Sequence, residues 1–167
     1  MIINLQAEGS LRIQTGGTVV LTEGSDPTAA SRLKPDIFIR TAPAKTQLPN
    51  ADFLISGPGE YEIKGVEIRG YHPFIYSIRA EDINLGLLSG AEGADNLEKI
   101  DLLFVPNNAA LAKAIRQLNS PLVVCLNQSA KELEKELGVK AETAEKLTIK
   151  KKDIPQPNGL KLLCLKP

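Results

Sequence analysis

The stretch GPGEYEIKGVEIRG, residues 57–70, decides how the fold of this sequence is interpreted. Gly57-Pro58-Gly59 is a turn signal, because glycine reaches positive φ without strain and proline fixes its own φ. After this turn, apolar and charged residues alternate on either side of Lys64-Gly65, which is typical of two strands that each bury one face. The stretch predicts a β-hairpin whose inward side chains are Tyr61, Ile63, Val66 and Ile68.

Short apolar segments separated by turn signals lie on both sides of the hairpin. Before it, they predict strands over residues 10–15, 19–21, 37–39 and 53–55, with a short helical piece at residues 28–33. After Gly93, apolar strands at 100–105 and 122–126 alternate with helical spacing at 109–118 and with a capping box at 129–132. Edge strands are expected at 147–150 and 160–165. This order predicts an α/β protein whose sheets are buried against helices.

Composition limits the classes of protein that fit. The chain has 167 residues, of which 43% are hydrophobic, and this length predicts one domain over residues 1–167. Twenty basic and 20 acidic residues cancel, so the positive charge expected of a nucleic-acid-binding protein is missing. No apolar run approaches the ~20 residues that span a bilayer, and the N-terminus does not resemble a signal peptide. We therefore expect a cytoplasmic protein with no nucleic-acid or membrane partner.

Few residues offer metal or acid–base chemistry. The sequence has one histidine, His72, and two cysteines, too few for a dinuclear zinc site built from imidazoles and thiolates. Glu60 and Glu62 share one face of a strand, where two carboxylates would suit a hard cation. A metal-free acid–base site could instead pair His72 with Glu60, Glu62 or Glu92. Solvent-exposed roles are the simpler interpretation of all four residues.

The two cysteines, Cys125 and Cys164, are far apart in the sequence and each lies in an apolar strand. They form no C-x-x-C pair and no disulfide framework, which favours a reducing compartment. We expect both to be buried, unreactive thiols.

The order of these segments resembles the metallo-β-lactamase superfamily, in particular its short zinc-dependent hydrolases related to the ascorbate-lactonase branch. Residues 57–70 look like that family's G-P-G-E-Y-E-x-x-G-V-x-I-x-G strand pair, and residues 34–41 look like the strand that delivers its metal motif. The resemblance covers nearly the whole chain. It implies a four-layer αββα sandwich with mixed sheets.

The resemblance also implies where metal ligands would lie, and this chain has none of them at the matching positions. The family's T-H-x-H-x-D-H motif matches residues 41–47, where Ala42, Ala44, Thr46 and Gln47 replace the ligands. An early histidine matches Gly9, a bridging aspartate matches Gly90, and a late histidine falls near Asn127 or Gln128. Uncharged residues at all these positions are consistent with a stable site without a cation, because unpaired buried carboxylates would be costly.

These matches predict a protein that keeps the αββα sandwich, lacks metal chemistry and needs no cofactor. Its role would be the binding of a protein partner, of a second copy through the edge of the residue 60–69 strand pair, or of a small ligand in the old cleft. The alternative is a hydrolase of the superfamily with an atypical carboxylate-bound metal or a metal-free acid–base site. The residues expected around the vestigial cleft are Gly9, Thr22, Ala42, Ala44, Thr46, Gln47, Gly90 and Gln128.

Overall fold

Two mixed β-sheets pack face to face in the computed structural model of the protein, which describes residues 1–6, 9–24, 32–43, 50–127, 129–156 and 159–167. The strands in chain order are β1 (Ile2–Leu5), β2 (Leu11–Thr15), β3 (Thr18–Thr22), β4 (Ile37–Ile39), β5 (Phe53–Ile55), β6 (Gly59–Ile63), β7 (Val66–Tyr71), β8 (Ile75–Ala80), β9 (Ile83–Leu87), β10 (Leu102–Val105), β11 (Leu122–Cys125), β12 (Ala141–Ala144), β13 (Leu147–Thr148) and β14 (Lys161–Leu165). The smaller sheet has the order β13-β1-β2-β3-β4-β5, and the larger has the order β12-β14-β11-β10-β9-β8-β7-β6.

Each sheet combines antiparallel and parallel pairs. In the smaller sheet β1, β2 and β3 run antiparallel, whereas β3, β4 and β5 are parallel. In the larger sheet β6 to β9 form an antiparallel meander, and β9, β10, β11, β14 and β12 are parallel. The parallel strands of one sheet have their carboxyl ends at a common edge, which is where α/β proteins place binding sites.

The main hydrophobic core lies between the sheets. Alternate residues of facing strands, such as Ile13 and Ile39 from one sheet and Ile68 and Phe104 from the other, are at most 1% exposed. Burial of these apolar side chains is the main favourable term in folding. The period-2 pattern of the sequence therefore marks the residues that join the two sheets.

Helices cover part of the outer face of the larger sheet. These are α1 (Ala112–Leu118) and α2 (Lys131–Leu137), with the 3-10 turns Ala94–Asn96 and Ala109–Leu111. A third 3-10 turn, Lys151–Asp153, buries none of its residues. Ile115 of α1 and Leu133 of α2 are fully buried in a second core cluster with Leu103 and Val123 of the sheet. The predicted mixed α/β class, with two mixed sheets and few helices, is confirmed. No helix within the described ranges is long and apolar enough to cross a membrane.

The predicted hairpin forms as β6 and β7, with Lys64 and Gly65 at positive φ in its turn. Gly70 near its end explains part of the sequence pattern. A Cβ atom there would collide with the carbonyl oxygen of Gly57 and would lie 3.0 Å from Tyr76 Cε1. The turn before β6 therefore packs directly on the backbone of β7, which only glycine permits.

Two sequence-based expectations are wrong. The strand expected at residues 160–165 is not an edge, because β14 lies between β12 and β11 in the larger sheet. The capping box expected at residues 129–132 is not formed: Ala130 is the N-cap of α2, and the Glu132 carboxylate accepts from the amide of Ala109 instead. The pairing of β14 with its two neighbours and the contact of Glu132 with Ala109 both join segments that are distant in sequence. Most of the helical piece expected at residues 28–33 lies outside the described residues.

Candidate functional site

The carboxyl ends of parallel strands from both sheets surround a small open cavity of about 180 Å³. Thr22 ends β3, Thr41 follows β4, and Leu87 ends β9. Pro106 and Leu126 directly follow β10 and β11. The cavity thus lies where the topology predicts a binding site. It is lined by Gly9, Thr22, Glu23, Thr41, Leu87, Leu88, Ser89, Pro106 and Leu126.

The acidic residue of the cavity wall is Glu23, and its charge is compensated by the protein. Glu23 Oε1 lies 3.7 Å from Nε of Arg40, and the two side chains are only 14% and 10% exposed. Its other oxygen, Oε2, accepts from the amides of Thr41 and Ala42, at 3.3 Å each. Glu23 therefore holds the start of the loop after β4 and is committed to partners within the protein.

The backbone of Arg40 is held by a hydrogen bond as well. The buried hydroxyl of Tyr76 donates to the carbonyl oxygen of Arg40 at 2.7 Å. Burial raises the pKa of Tyr76 to about 12, so this phenol stays protonated as a donor over the whole physiological range. Nε of Arg40 is buried and has no hydrogen-bond partner among the described residues. Its distance of 3.7 Å to Glu23 Oε1 is within ion-pair range but too long for a hydrogen bond.

Thr22, Thr41 and Ser89 contribute hydroxyl groups to the cavity wall. Thr22 Oγ1 accepts from the amide of Leu11 at 2.8 Å, so its own proton remains available to donate. Ser89 Oγ donates to the carbonyl oxygen of Pro73 at 2.9 Å, so its lone pairs remain available to accept. The wall thus combines leucine and proline side chains with uncharged donors and acceptors.

Two of the residues expected around the cleft, Gly9 and Thr22, line this cavity. Ala42 is exposed at the start of the loop after β4, with its amide bonded to Glu23. Gly90 directly follows Ser89 of the cavity wall. Ala44, Thr46, Gln47 and Gln128 lie outside the described residues.

Four residues were suggested for acid–base chemistry, and all of them are exposed: His72, Glu60, Glu62 and Glu92. His72 is exposed in the turn after β7, whereas Glu60 and Glu62 are exposed on edge strand β6. Glu60 forms an ion pair with Arg69 at 3.5 Å, on the neighbouring strand. No hydrogen bond or ion pair links His72 to Glu60 or Glu62 in the parts of the chain that are described.

The donor atoms at the cavity do not fit the zinc centre that this fold implies. Zinc sites in proteins use imidazole, thiolate and carboxylate ligands. Among the described residues, the wall has one carboxylate, which is already bound to Arg40 and to two backbone amides. No group of three or more His, Cys, Asp or Glu residues capable of holding a metal occurs in the described segments.

Glu23 and Arg40 were missed by the sequence analysis. The available signal was one of position, since each charged residue directly follows a short apolar strand whose carboxyl end faces the site. Such residues often have functional roles in α/β proteins. Their pairing depends on β3 and β4 being adjacent and parallel, which the local sequence does not specify.

Solved structures of the metallo-β-lactamase fold share this architecture. A structure from Thermotoga maritima, proposed to be a zinc-dependent hydrolase of that superfamily, superposes with a TM-score of 0.74 over 99% of this chain and 98% of its own, at 17% identity. The metallo-β-lactamase fold protein YhfI from Bacillus subtilis matches with a TM-score of 0.61 at 10% identity, over 81% of this chain and 90% of its own.

A third structure, the metallo hydrolase Igni18 from Ignicoccus hospitalis, matches with a TM-score of 0.60 at 11% identity. It covers 89% of this chain and 99% of its own. No protein-family model matches the sequence, and no curated protein matches it. At these identities the likeness concerns the fold, and function has to be argued from the site.

Proposed function

We propose that this chain is a single-domain, non-catalytic member of the lactamase fold that binds a small, uncharged ligand in the cavity between the strand ends. The observation that carries the proposal is the commitment of Glu23. Its two oxygens are bound to Arg40, Thr41 and Ala42, so the carboxylate at the cavity supports the loop and is not a free ligand or base. A cytoplasmic location is part of the proposal and is supported by the two free thiols.

The chemistry of the wall defines the class of ligand. A charged ligand would be desolvated without a free counter-ion, which is costly. An alcohol or amide with a short apolar body could accept from Thr22 and donate to Ser89 while it contacts Leu88 and Leu126. A cavity of about 180 Å³ limits this ligand to a few heavy atoms within the wall.

Metal analysis is the first test of the non-catalytic part. The protein is purified without a histidine tag or chelator, incubated with Zn²⁺, Mn²⁺ or Mg²⁺, dialysed, and its metal content measured. We expect far less than one equivalent of each metal. Retention of one equivalent, removed by Glu23→Gln, would overturn the proposal and assign Glu23 to a metal site.

Ligand binding is tested separately by recording amide chemical shifts while small alcohols and primary amides are added. We expect saturable shifts at the amides of Thr41 and Ser89 for at least one compound. Thr41→Trp fills the cavity mouth and should abolish them, whereas Thr143→Trp, on the exposed strand β12, should not. Equal responses of the two variants would contradict binding in the cavity.

The alternative is a hydrolase with an atypical carboxylate-bound metal, or with a metal-free acid–base site that pairs His72 with Glu60, Glu62 or Glu92. A panel of ester, lactone and phosphoester substrates would reveal it, and His72→Asn should then remove the activity. The exposed, separate positions of these residues favour the binding protein. An activity lost in both His72→Asn and Glu62→Gln would decide for the hydrolase.

Self-association is a second candidate, supported by the edge strands. Strand β5 lies at one edge of the smaller sheet, and β6 lies at one edge of the larger sheet. Phe53 and Leu54 of β5 are 45% and 43% exposed. Exposed apolar edge strands can pair with another chain. Light scattering over a range of concentrations should show a dimer that Phe53→Lys dissociates. A monomer at every concentration would exclude this role.

A further inference from the structure

We propose that Cys125 and Cys164 form a cross-strand dithiol that hydrogen peroxide oxidises to a disulfide, and that this oxidation releases the segment after β11 next to the cavity. The two residues were expected to be buried, unreactive thiols. The structure confirms that both are free and buried, but places them side by side on neighbouring strands of the larger sheet.

The register of β11 and β14 brings the two thiols together. The strands are parallel neighbours, and Cys125 is the direct partner of Cys164. Adjacent strands are about 4.8 Å apart, which lies within the range of about 4.4–6.8 Å between the Cα atoms of disulfide-bonded cysteines. Both side chains belong to the core cluster under α1 and α2, so they lie on the same face of the sheet.

Both thiols contact the segment that connects β11 to α2. The Cys164 thiol donates to the carbonyl oxygen of Asn127, with 2.9 Å between sulfur and oxygen. The Cys125 thiol donates to the carbonyl oxygen of Ser129 at 3.5 Å. A disulfide has no S–H group, so after oxidation neither sulfur can donate to the carbonyl oxygens of this segment.

This segment is directly connected to the cavity. Leu126 lines the cavity wall, and the side-chain oxygen of the next residue, Asn127, accepts from the amide of Asn107 at 2.5 Å. Loss of the two sulfur contacts therefore loosens one side of the proposed binding site. The redox state of the dithiol would in this way change the affinity of the cavity for its ligand.

The chemistry balances with one molecule of hydrogen peroxide. The Cys164 thiolate attacks a peroxide oxygen, the O–O bond breaks, and one water leaves after protonation, so that Cys164 becomes a sulfenic acid. The Cys125 thiolate then attacks the sulfur of Cys164, the S–O bond breaks, and a second water leaves. The two thiols lose two electrons and two protons, and the peroxide is reduced to two waters.

Burial makes this reaction slow and dependent on pH. Desolvation raises the pKa of Cys125 to about 11 and also raises that of Cys164. The thiolate is the reactive form, so oxidation should accelerate as the pH rises from 7 toward 9. A small oxidant such as peroxide suits a buried site, since it needs only a local opening of the segment.

The test exposes the native protein to hydrogen peroxide and follows free thiols and intact mass. We expect both thiols to disappear together and the mass to fall by two hydrogen atoms. Cys125→Ala should instead retain a sulfenic acid on Cys164, which dimedone traps. If both thiols persist in the native protein under conditions that form the disulfide in urea, the proposed oxidation of the folded protein is contradicted.

Hydrogen exchange tests the second half of the proposal. Amides in a peptide that includes Asn127 and Ser129 should exchange faster in the disulfide form, whereas a peptide from β7 should not change. The Cys125→Ala and Cys164→Ala double variant, treated with peroxide in the same way, controls for oxidation elsewhere. Equal exchange of the peptide before and after disulfide formation would show that the segment is not released.

Discussion

Arg40 lies beside Glu23 of the cavity wall, with 3.7 Å between Nε and Oε1 and most of both side chains buried. Residues 34–41 resemble the strand that leads into the family's metal motif. Arg40 and Glu23 therefore place two opposite charges next to the start of that motif. A buried carboxylate without a partner of opposite charge would be unstable, and Arg40 removes that cost.

This pair predicts a strongly non-additive double-mutant cycle. Arg40→Met should lower the free energy of unfolding by about 3 kcal/mol, because it leaves Glu23 charged and largely buried. Adding Glu23→Gln should recover part of that loss, since the unpaired charge is removed. Urea unfolding of the wild type, both single variants and the double variant measures this coupling. Simple additivity of the two losses would show that the residues do not interact.

The close contact of Gly70 with the turn before β6 predicts a sensitive position. Gly70→Ala should lower the free energy of unfolding by about 2 kcal/mol, because its Cβ atom must displace the backbone of Gly57. Gly90→Ala is the matched control, since nothing lies within 4 Å of a Cβ atom there, and it should stay within about 0.5 kcal/mol of the wild type. Similar unfolding midpoints for the two variants would contradict the packing described above.

Asp36 predicts a pH-dependent contribution to stability. Its carboxylate accepts from Lys64 Nζ and from the amide of Val19, and the bond to Lys64 is the main reason that the pKa of Asp36 is lowered from its usual 3.8. The carboxylate therefore stabilises the fold above pH 3.8, and this contribution disappears as the pH falls through the lower folded-state pKa.

Asp36→Asn should consequently cost about 1 kcal/mol at pH 7, and progressively less below pH 3.8. Thermal unfolding from pH 7 to pH 2.5 measures the difference from the wild type. Asp95→Asn serves as the control, because Asp95 is exposed and forms no ion pair with any described residue. A difference for Asp36→Asn that stays constant over this range would exclude its ionisation as the cause.

Local patterns in the sequence were sufficient to predict individual elements of the fold. The alternation around Lys64-Gly65 predicted the β6–β7 hairpin, and the apolar segments predicted most other strands and both helices. The expectation that Gly9 and Thr22 share a cleft came from the family resemblance, and both residues line the cavity. Elements of this kind are set by neighbouring residues, so one sequence contains the necessary information.

Pairings between distant segments could not be predicted in this way. The interior position of β14, the register of Cys125 with Cys164, and the contact of Glu23 with Arg40 all depend on the order of strands in the sheets. Strand order results from the packing of complete sheets and helices and leaves no periodic signal in any one segment. The functional inferences drawn from the structure rest on these long-range pairings.

The interior position of β14 has a consequence for how the protein is made. During synthesis on the ribosome, β11 and β12 emerge before β14, and they cannot be joined in their final order until β14 inserts between them. Until then the nascent chain presents two unpaired strand edges, which are sites of misassembly. The larger sheet is therefore completed after translation of β14, and a premature stop before Lys161 would leave it permanently divided.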